Sequence, residues 1–238
     1  MISDLRLSKS LRLFVFVSLS LISFSTMATG GISIQGTRVI YPMNARQISM
    51  SISNSSLSEH FLVQSWVETA SGQKTQDFVI TPPLYLSKPG NENLLRLIRT
   101  GGQLPNDRES LYYFIAKAIP SVDKEKTGLN IIHIAAATRI KLFVRPSGLN
   151  LSPDKAPAAL IFYRAGNKMR IYNPTPYYLT LSGMSIGNRT LQDVMVAPIS
   201  SMFVPLPANA GNKLLFRTIN DYGALTQPMS APLILEAK

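Results

Sequence analysis

The sequence predicts an all-β protein built from two immunoglobulin-like β-sandwich domains in series. Helix signals are scarce, whereas short alternating or β-branched runs recur along the chain, each bounded by Pro, Gly, Asn or Ser. Seven such runs fall within about 115 residues, the density of an immunoglobulin-like sandwich. The turn-rich stretch SGLNLSPDKAP (147–157) then separates this set from a second one.

In chain order, the first element is an export signal. Lys9 and Arg12 precede the apolar run LFVFVSLSLISF (13–24), and small residues follow up to Thr26-Met27-Ala28. A basic flank, a short apolar run and a small-x-small site make a secretory signal peptide. The run's 12 residues are too few for a membrane span of ~20. Residues 1–28 are therefore expected to be removed, and no later run is long enough for membrane insertion.

The strands of the first domain (29–148) follow as GTRVIYP, RQISMSISN, FLVQSWVET, DFVITPP, ENLLRLIRT and SLYYFIAKAI. Trp66, in the middle of its strand, is expected in the core. The seventh run, NIIHIAAATRIKLFVRP (130–146), is about twice the usual strand length of ~5–6 residues. From Ile132 every second residue is apolar or nearly so, up to Val144, while the other register carries Arg139, Lys141 and Arg145. Ile140, Leu142 and Val144 are expected in the domain's own core. The second domain (149–238) holds the runs ALIFYRAGNKMRIYNPTPYYLTLSGMSI, TLQDVMVAP, SSMFVPLP, KLLFRTIND and SAPLILEA.

Composition narrows the function. Removing residues 1–28 takes away Asp4, Arg6, Lys9 and Arg12, and leaves 21 basic against 12 acidic side chains, a net +9. The cations are scattered, not set in a stripe with aromatics, so no nucleic-acid surface is expected. Solubility and attraction to acidic protein partners are uses that fit. With no cysteine, an exported chain is stabilised by its core alone, which suits a bacterial periplasm.

Two histidines, His60 and His133, are too few for a zinc site. There is no Gly-x-Ser-x-Gly elbow and no phosphate-binding Gly loop, and carboxylates are too few to suggest a paired-carboxylate hydrolase. The sequence therefore reads as a binding protein, neither an enzyme nor a cofactor carrier. A structural or adhesive surface protein of the same fold is the competing class.

Six motifs in order carry a family resemblance: TRVIYP (37–42), FVITPP (78–83), PNDRESLYYFIAKAIP (105–120), TRIKLFVRP (138–146), NPTPYYLT (173–180) and INDYGA (219–224). Together they resemble the PapD-like periplasmic chaperones of the chaperone–usher pathway, over the whole chain after the signal. The resemblance implies two immunoglobulin-like domains in a boomerang arrangement with a cleft between them. It also implies an ATP-independent chaperone that lends its G1 strand to pilin (fimbrial) subunits lacking a strand and delivers them to an outer-membrane usher. That exchange is a known form of β-strand addition.

Residue by residue, the resemblance assigns the subunit's C-terminal carboxylate to Arg38 and Lys141. It assigns groove contacts to Ile132, Ile134 and Ala136, with Asn130 extending them; Ala136 departs from the family, where a larger apolar residue is common. Glu109, Arg145 and Asp221 match the family's interdomain contact and are expected to be structural. The Thr81-Pro82-Pro83 turn suggests a cis peptide. The short, polar connection SVDKEKTGLN (121–130) resembles the subclass serving rod-like, tipped pili. Self-association of the free chaperone through its exposed strand stays open.

Overall fold

The computed structural model describes residues 30–121 and 134–235. The expected signal, residues 1–28, and the expected groove residues Asn130 and Ile132 lie outside the described residues.

Two sheets form the first sandwich. One runs in the order β1 (Ile32–Ile34), β3 (Gln47–Asn54), β7 (Glu92–Arg99), β5 (Phe78–Thr81). The other runs β2 (Arg38–Pro42), β9 (Ala136–Arg145), β8 (Ser110–Pro120), β4 (Phe61–Thr69), β6 (Leu84–Ser87). All pairs are antiparallel except β2 with β9. Because side chains alternate along a strand, each run turns one parity inward. Val63 and Val67 of β4, Phe114 and Ala116 of β8, and Ile140, Leu142 and Val144 of β9 meet Ile52, Leu95 and Leu97 from the facing sheet. Phe78 stands edge-on to both Tyr41 and Tyr112, with ring centroids 5.5 and 5.1 Å apart. That arrangement suits the aromatic quadrupole. The Thr81–Pro82 bond is cis.

Three features differ from expectation. Trp66 is not in the core. The inward parity of β4 belongs to Val63, Ser65 and Val67, so Trp66 lies partly exposed on the outer face and donates Nε1–H to Glu68 Oε1 at 2.9 Å. The long seventh run is a strand only from Ala136 within the described part, although the alternation begins earlier. Its partner explains the limit: in this register Ile134 would face Pro120, which has no N–H to give. Finally, β1 and β6 are strands that the pattern did not announce. Each has at most 4 residues, and β6 lies close behind Pro82-Pro83.

The second sandwich pairs β15 (Ser200–Pro205), β11 (Lys168–Asn173), β10 (Ile161–Ala165) and β18 (Ile234–Leu235) in one sheet. Its other sheet holds β13 (Arg189–Thr190), β12 (Leu179–Ile186), β16 (Lys213–Thr218) and β17 (Met229–Pro232), with β14 (Val194–Val196) also on β12. Its core, built on Phe162, Met169, Ile171, Leu181, Met184, Leu214 and Phe216, is a separate hydrophobic cluster from that of the first domain. The connection between the domains ends in a single 3-10 turn, Ala156–Ala159.

The same device closes a corner in each domain. Asn54 ends β3, fully buried, and its amide donates to the carbonyls of Glu59 and Lys88 while its oxygen accepts from the Ser56 N–H. Asn173 ends β11 and does the same with the carbonyls of Tyr177 and Ala197 and the N–H of Thr175. A buried amide is tolerated only when its donors and acceptor are used, and here two loop segments are tied to one side chain.

Candidate functional site

β9 has one satisfied side and one partly open side. It pairs with β8 along residues 136–144, from Ala118↔Ala136 to Ser110↔Val144. On the other side β2 covers only Lys141 to Arg145. Among the described residues no strand pairs with that side of residues 136–140. Unpaired N–H and C=O groups along an edge are a template for another strand. Residues 136–139 are exposed, and Ile134 just before them is 77% exposed, on the parity that is apolar further along the strand.

The open edge ends at two cations. Arg38, the first residue of β2, is the register partner of Lys141. Both reach toward the second domain. Arg38 Nη1–H donates to the Ile219 carbonyl at 3.1 Å, and Lys141 Nζ donates to Thr180 Oγ1 at 3.2 Å. Burial holds the Lys141 ammonium below its ordinary range, and the Arg38 charge adds to the effect. Burial likewise lowers Arg38, against the pull of Asp221 and Glu109. Two half-buried cations side by side are a charged arrangement that an anion relieves. A cavity of about 290 Å³ opens beside Arg38, lined also by Phe143, Tyr178, Ile219 and Tyr222.

The other two cations of β9 are already engaged. Arg139 donates to Glu68 Oε2 at 3.2 Å and lies 3.2 Å over the Tyr113 ring. Arg145 binds two carboxylates at once. Its Nε–H donates to Glu109 Oε1 at 2.7 Å, and its Nη groups donate to the two Asp221 oxygens at 2.6 and 2.8 Å. Glu109, 3% exposed, also accepts the Tyr178 N–H at 2.8 Å. Burial works against the Arg145 charge, but Asp221 and Glu109 outweigh it and hold the guanidinium well above its ordinary range. Burial pushes the Glu109 carboxyl up despite the attraction of Arg145. Glu109 and Arg145 belong to the first sandwich and Asp221 to the second, so this network ties the two together.

Three residues of the site were not singled out from the sequence. Phe143 lies in the cation register yet is buried, its ring 5.6 Å from that of Tyr178 in the second domain. One aromatic among cations on an otherwise outward face is a signal for a covered patch. Thr180, buried, offers its hydroxyl to Lys141; a lone Thr in a strand carries no such signal. The Ile219 carbonyl is a backbone group and leaves no trace in residue type.

Two immunoglobulin-like sandwiches joined by a buried ion network, with an open strand edge running up to their junction, are the build of a protein-binding module. The chain belongs to the PapD-like pilus-assembly chaperones, which are not enzymes. Residues 31–150 match the pili and flagellar-assembly chaperone PapD N-terminal domain, and residues 155–230 match the pili assembly chaperone PapD C-terminal domain. The probable fimbrial chaperone SfmC of Escherichia coli (strain K12) is 46% identical over 219 residues, covering 92% of this chain and 94% of that one. The chaperone protein FimC of the same strain is 45% identical over 204 residues, 85% of each chain. Among solved structures, the periplasmic chaperone SfaE superposes with a TM-score of 0.75 at 41% identity, over 85% of this chain and 100% of that one. The SafB chaperone from the Salmonella enterica SafA pilin complex superposes at 0.78 with 27% identity, over 87% and 98%.

Proposed function

We propose that this chain works in the periplasm as an ATP-independent chaperone that completes pilin subunits by lending them the open edge of β9, and that it then delivers them to an outer-membrane usher. The observation that carries this reading is the five-residue edge 136–140, which ends at Arg38 and Lys141. A subunit lacking a strand exposes an apolar groove and unpaired edges that invite aggregation. An added strand satisfies those backbone groups and fills the groove with alternate side chains. Ile134 and Ala136 are the described plugs; Ile132 and Asn130 extend the contact beyond the described residues. Burying an Ile contributes about 1.5–3 kcal/mol, which a 77%-exposed Ile134 has still to gain.

The direction of the guest strand follows from the sheet. A guest strand occupying the open side of residues 136–140 lies in line with β2 and stops where β2 starts. If its C-terminus is the end that meets Arg38, it runs the same way as β2 and is therefore parallel to β9. A carboxylate held there accepts charge-assisted hydrogen bonds from two cations and fixes register, because a one-residue slip turns every plug to the wrong face.

The test is capture. A tagged chain recovered from periplasm should bring down a pilin subunit identified by mass spectrometry. Arg38→Ala and Lys141→Met should lose that subunit while keeping the wild-type circular-dichroism spectrum. Undiminished recovery with folded Arg38→Ala would refute the anchor.

A further inference from the structure

The turn 219–224 of the second domain meets the first domain at three points. Asp221 binds Arg145, the Ile219 carbonyl accepts from Arg38, and Gly223 lies against Thr37, the residue before Arg38. The turn is rigid by its own bonds. Asn220 Oδ1 accepts the N–H groups of Tyr222 and Ala224 at 3.1 and 3.0 Å, and the Asn220 carbonyl accepts the Gly223 N–H at 3.0 Å. A push at one residue of such a turn therefore shifts its neighbours.

Gly223 has a φ of +83°, in the left-handed region that favours glycine. Its neighbour adds a second constraint: a Cβ at this position would overlap Thr37 Oγ1, while the Thr37 Cβ would stay 3.5 Å away. We propose that Gly223 is a positioning residue for the carboxylate anchor: its missing side chain lets the turn close on Thr37 and hold the Ile219 carbonyl against the Arg38 guanidinium. This rests on the anchor role given to Arg38 above. A side chain at 223 is strained at this φ and overlaps the Thr37 hydroxyl, so the turn shifts, and a shift of about 1 Å takes a 3.1 Å bond beyond hydrogen-bonding reach. Arg38 then loses the bond that orients it at the end of the open edge.

The probe is a peptide copied from the C-terminal strand of the captured subunit, made with a free α-carboxylate and as the amide. The ratio of the two affinities reads the anchor alone, whereas a general loss of stability weakens both forms alike. The native chain and Thr37→Ala should prefer the acid by about tenfold or more, the scale of hydrogen bonds to a charged group. Gly223→Ala should lower that ratio to about the value of Arg38→Ala, the share left to Lys141. Should Gly223→Ala not fold, Thr37→Ile crowds the same contact from the strand side and should give the same ratio. A Gly223→Ala chain that keeps the native ratio overturns the proposal. Arg38→Ala separates the two levels: if it too keeps the preference, the anchor itself is wrong; if it alone loses it, only the role of Gly223 is.

Discussion

Glu109→Ala should cost more stability than Asp221→Ala, the other carboxylate change in the interdomain network. The substitution removes the acceptor for Arg145 Nε at 2.7 Å and for the Tyr178 N–H at 2.8 Å, at a position 3% exposed. Taking one partner from a buried ion pair costs about 3–5 kcal/mol, because the other charge stays behind without compensation. Two facts moderate that figure here. Asp221 still neutralises Arg145, and the Arg145 side chain keeps 17% of its surface in water. The orphaned Tyr178 N–H adds to the loss. About 3 kcal/mol is the balance, or about 6–12 °C in Tm for a chain of this size. Asp221 is 35% exposed on its side chain, so water screens its loss, and Asp221→Ala should cost about 1–2 kcal/mol despite its bidentate geometry. Calorimetry of both variants at neutral pH tests the order. An Asp221→Ala loss equal to or above that of Glu109→Ala would refute the reasoning, as would a Glu109→Ala shift below about 2 °C.

Leu142→Ala removes a side chain with no exposed surface from the first core and should destabilise by about 2–5 kcal/mol, read from the urea midpoint. A loss under about 1 kcal/mol would place Leu142 outside the packed core. Ile134→Asp should leave stability within about 0.5 kcal/mol, since the side chain is largely in water, yet abolish subunit capture by placing a carboxylate in an apolar groove; normal capture would exclude Ile134 as a plug. Lys141 supplies a pH test. Its free-state pKa lies below the ordinary 10.5, and a bound carboxylate raises it, so the complex holds more protons than the free chain. Peptide affinity should therefore fall as pH rises through that depressed value, and Lys141→Met should remove the dependence; a Lys141→Met profile identical to wild type would exclude the ammonium from the contact.

Much of the fold is legible in the sequence because strand periodicity is a local property. The inward parity of residues 140, 142 and 144 is written in the chain, and so are the breaks at Pro and Gly. Trp66 shows the limit: a large aromatic in a strand suggests burial, but parity decides, and its neighbours Val63, Ser65 and Val67 hold the inward positions. Where β9 stops pairing depends on Pro120 of another strand, which no reading of β9 by itself reveals. The grouping of Glu109, Arg145 and Asp221 joins residues 36 and 76 positions apart and rests on motif resemblance, not on spacing. Contacts through a backbone carbonyl or a single hydroxyl, such as Ile219 and Thr180, have no sequence signature because any residue, or any of many Thr, could supply them.

The first two strands hold a further consequence. β1 pairs with β3 in one sheet, and after a bend at Gly36, with φ of +89°, β2 joins β9 in the other. Had the chain stayed on the second sheet, the Arg38↔Lys141 register would lay residues 33–37 along residues 136–140. The segment that could have sealed that flank is diverted to the opposite layer. Under the proposed strand exchange, the guest would lie in the place that this detour leaves free, and its tail would halt where the host chain returns.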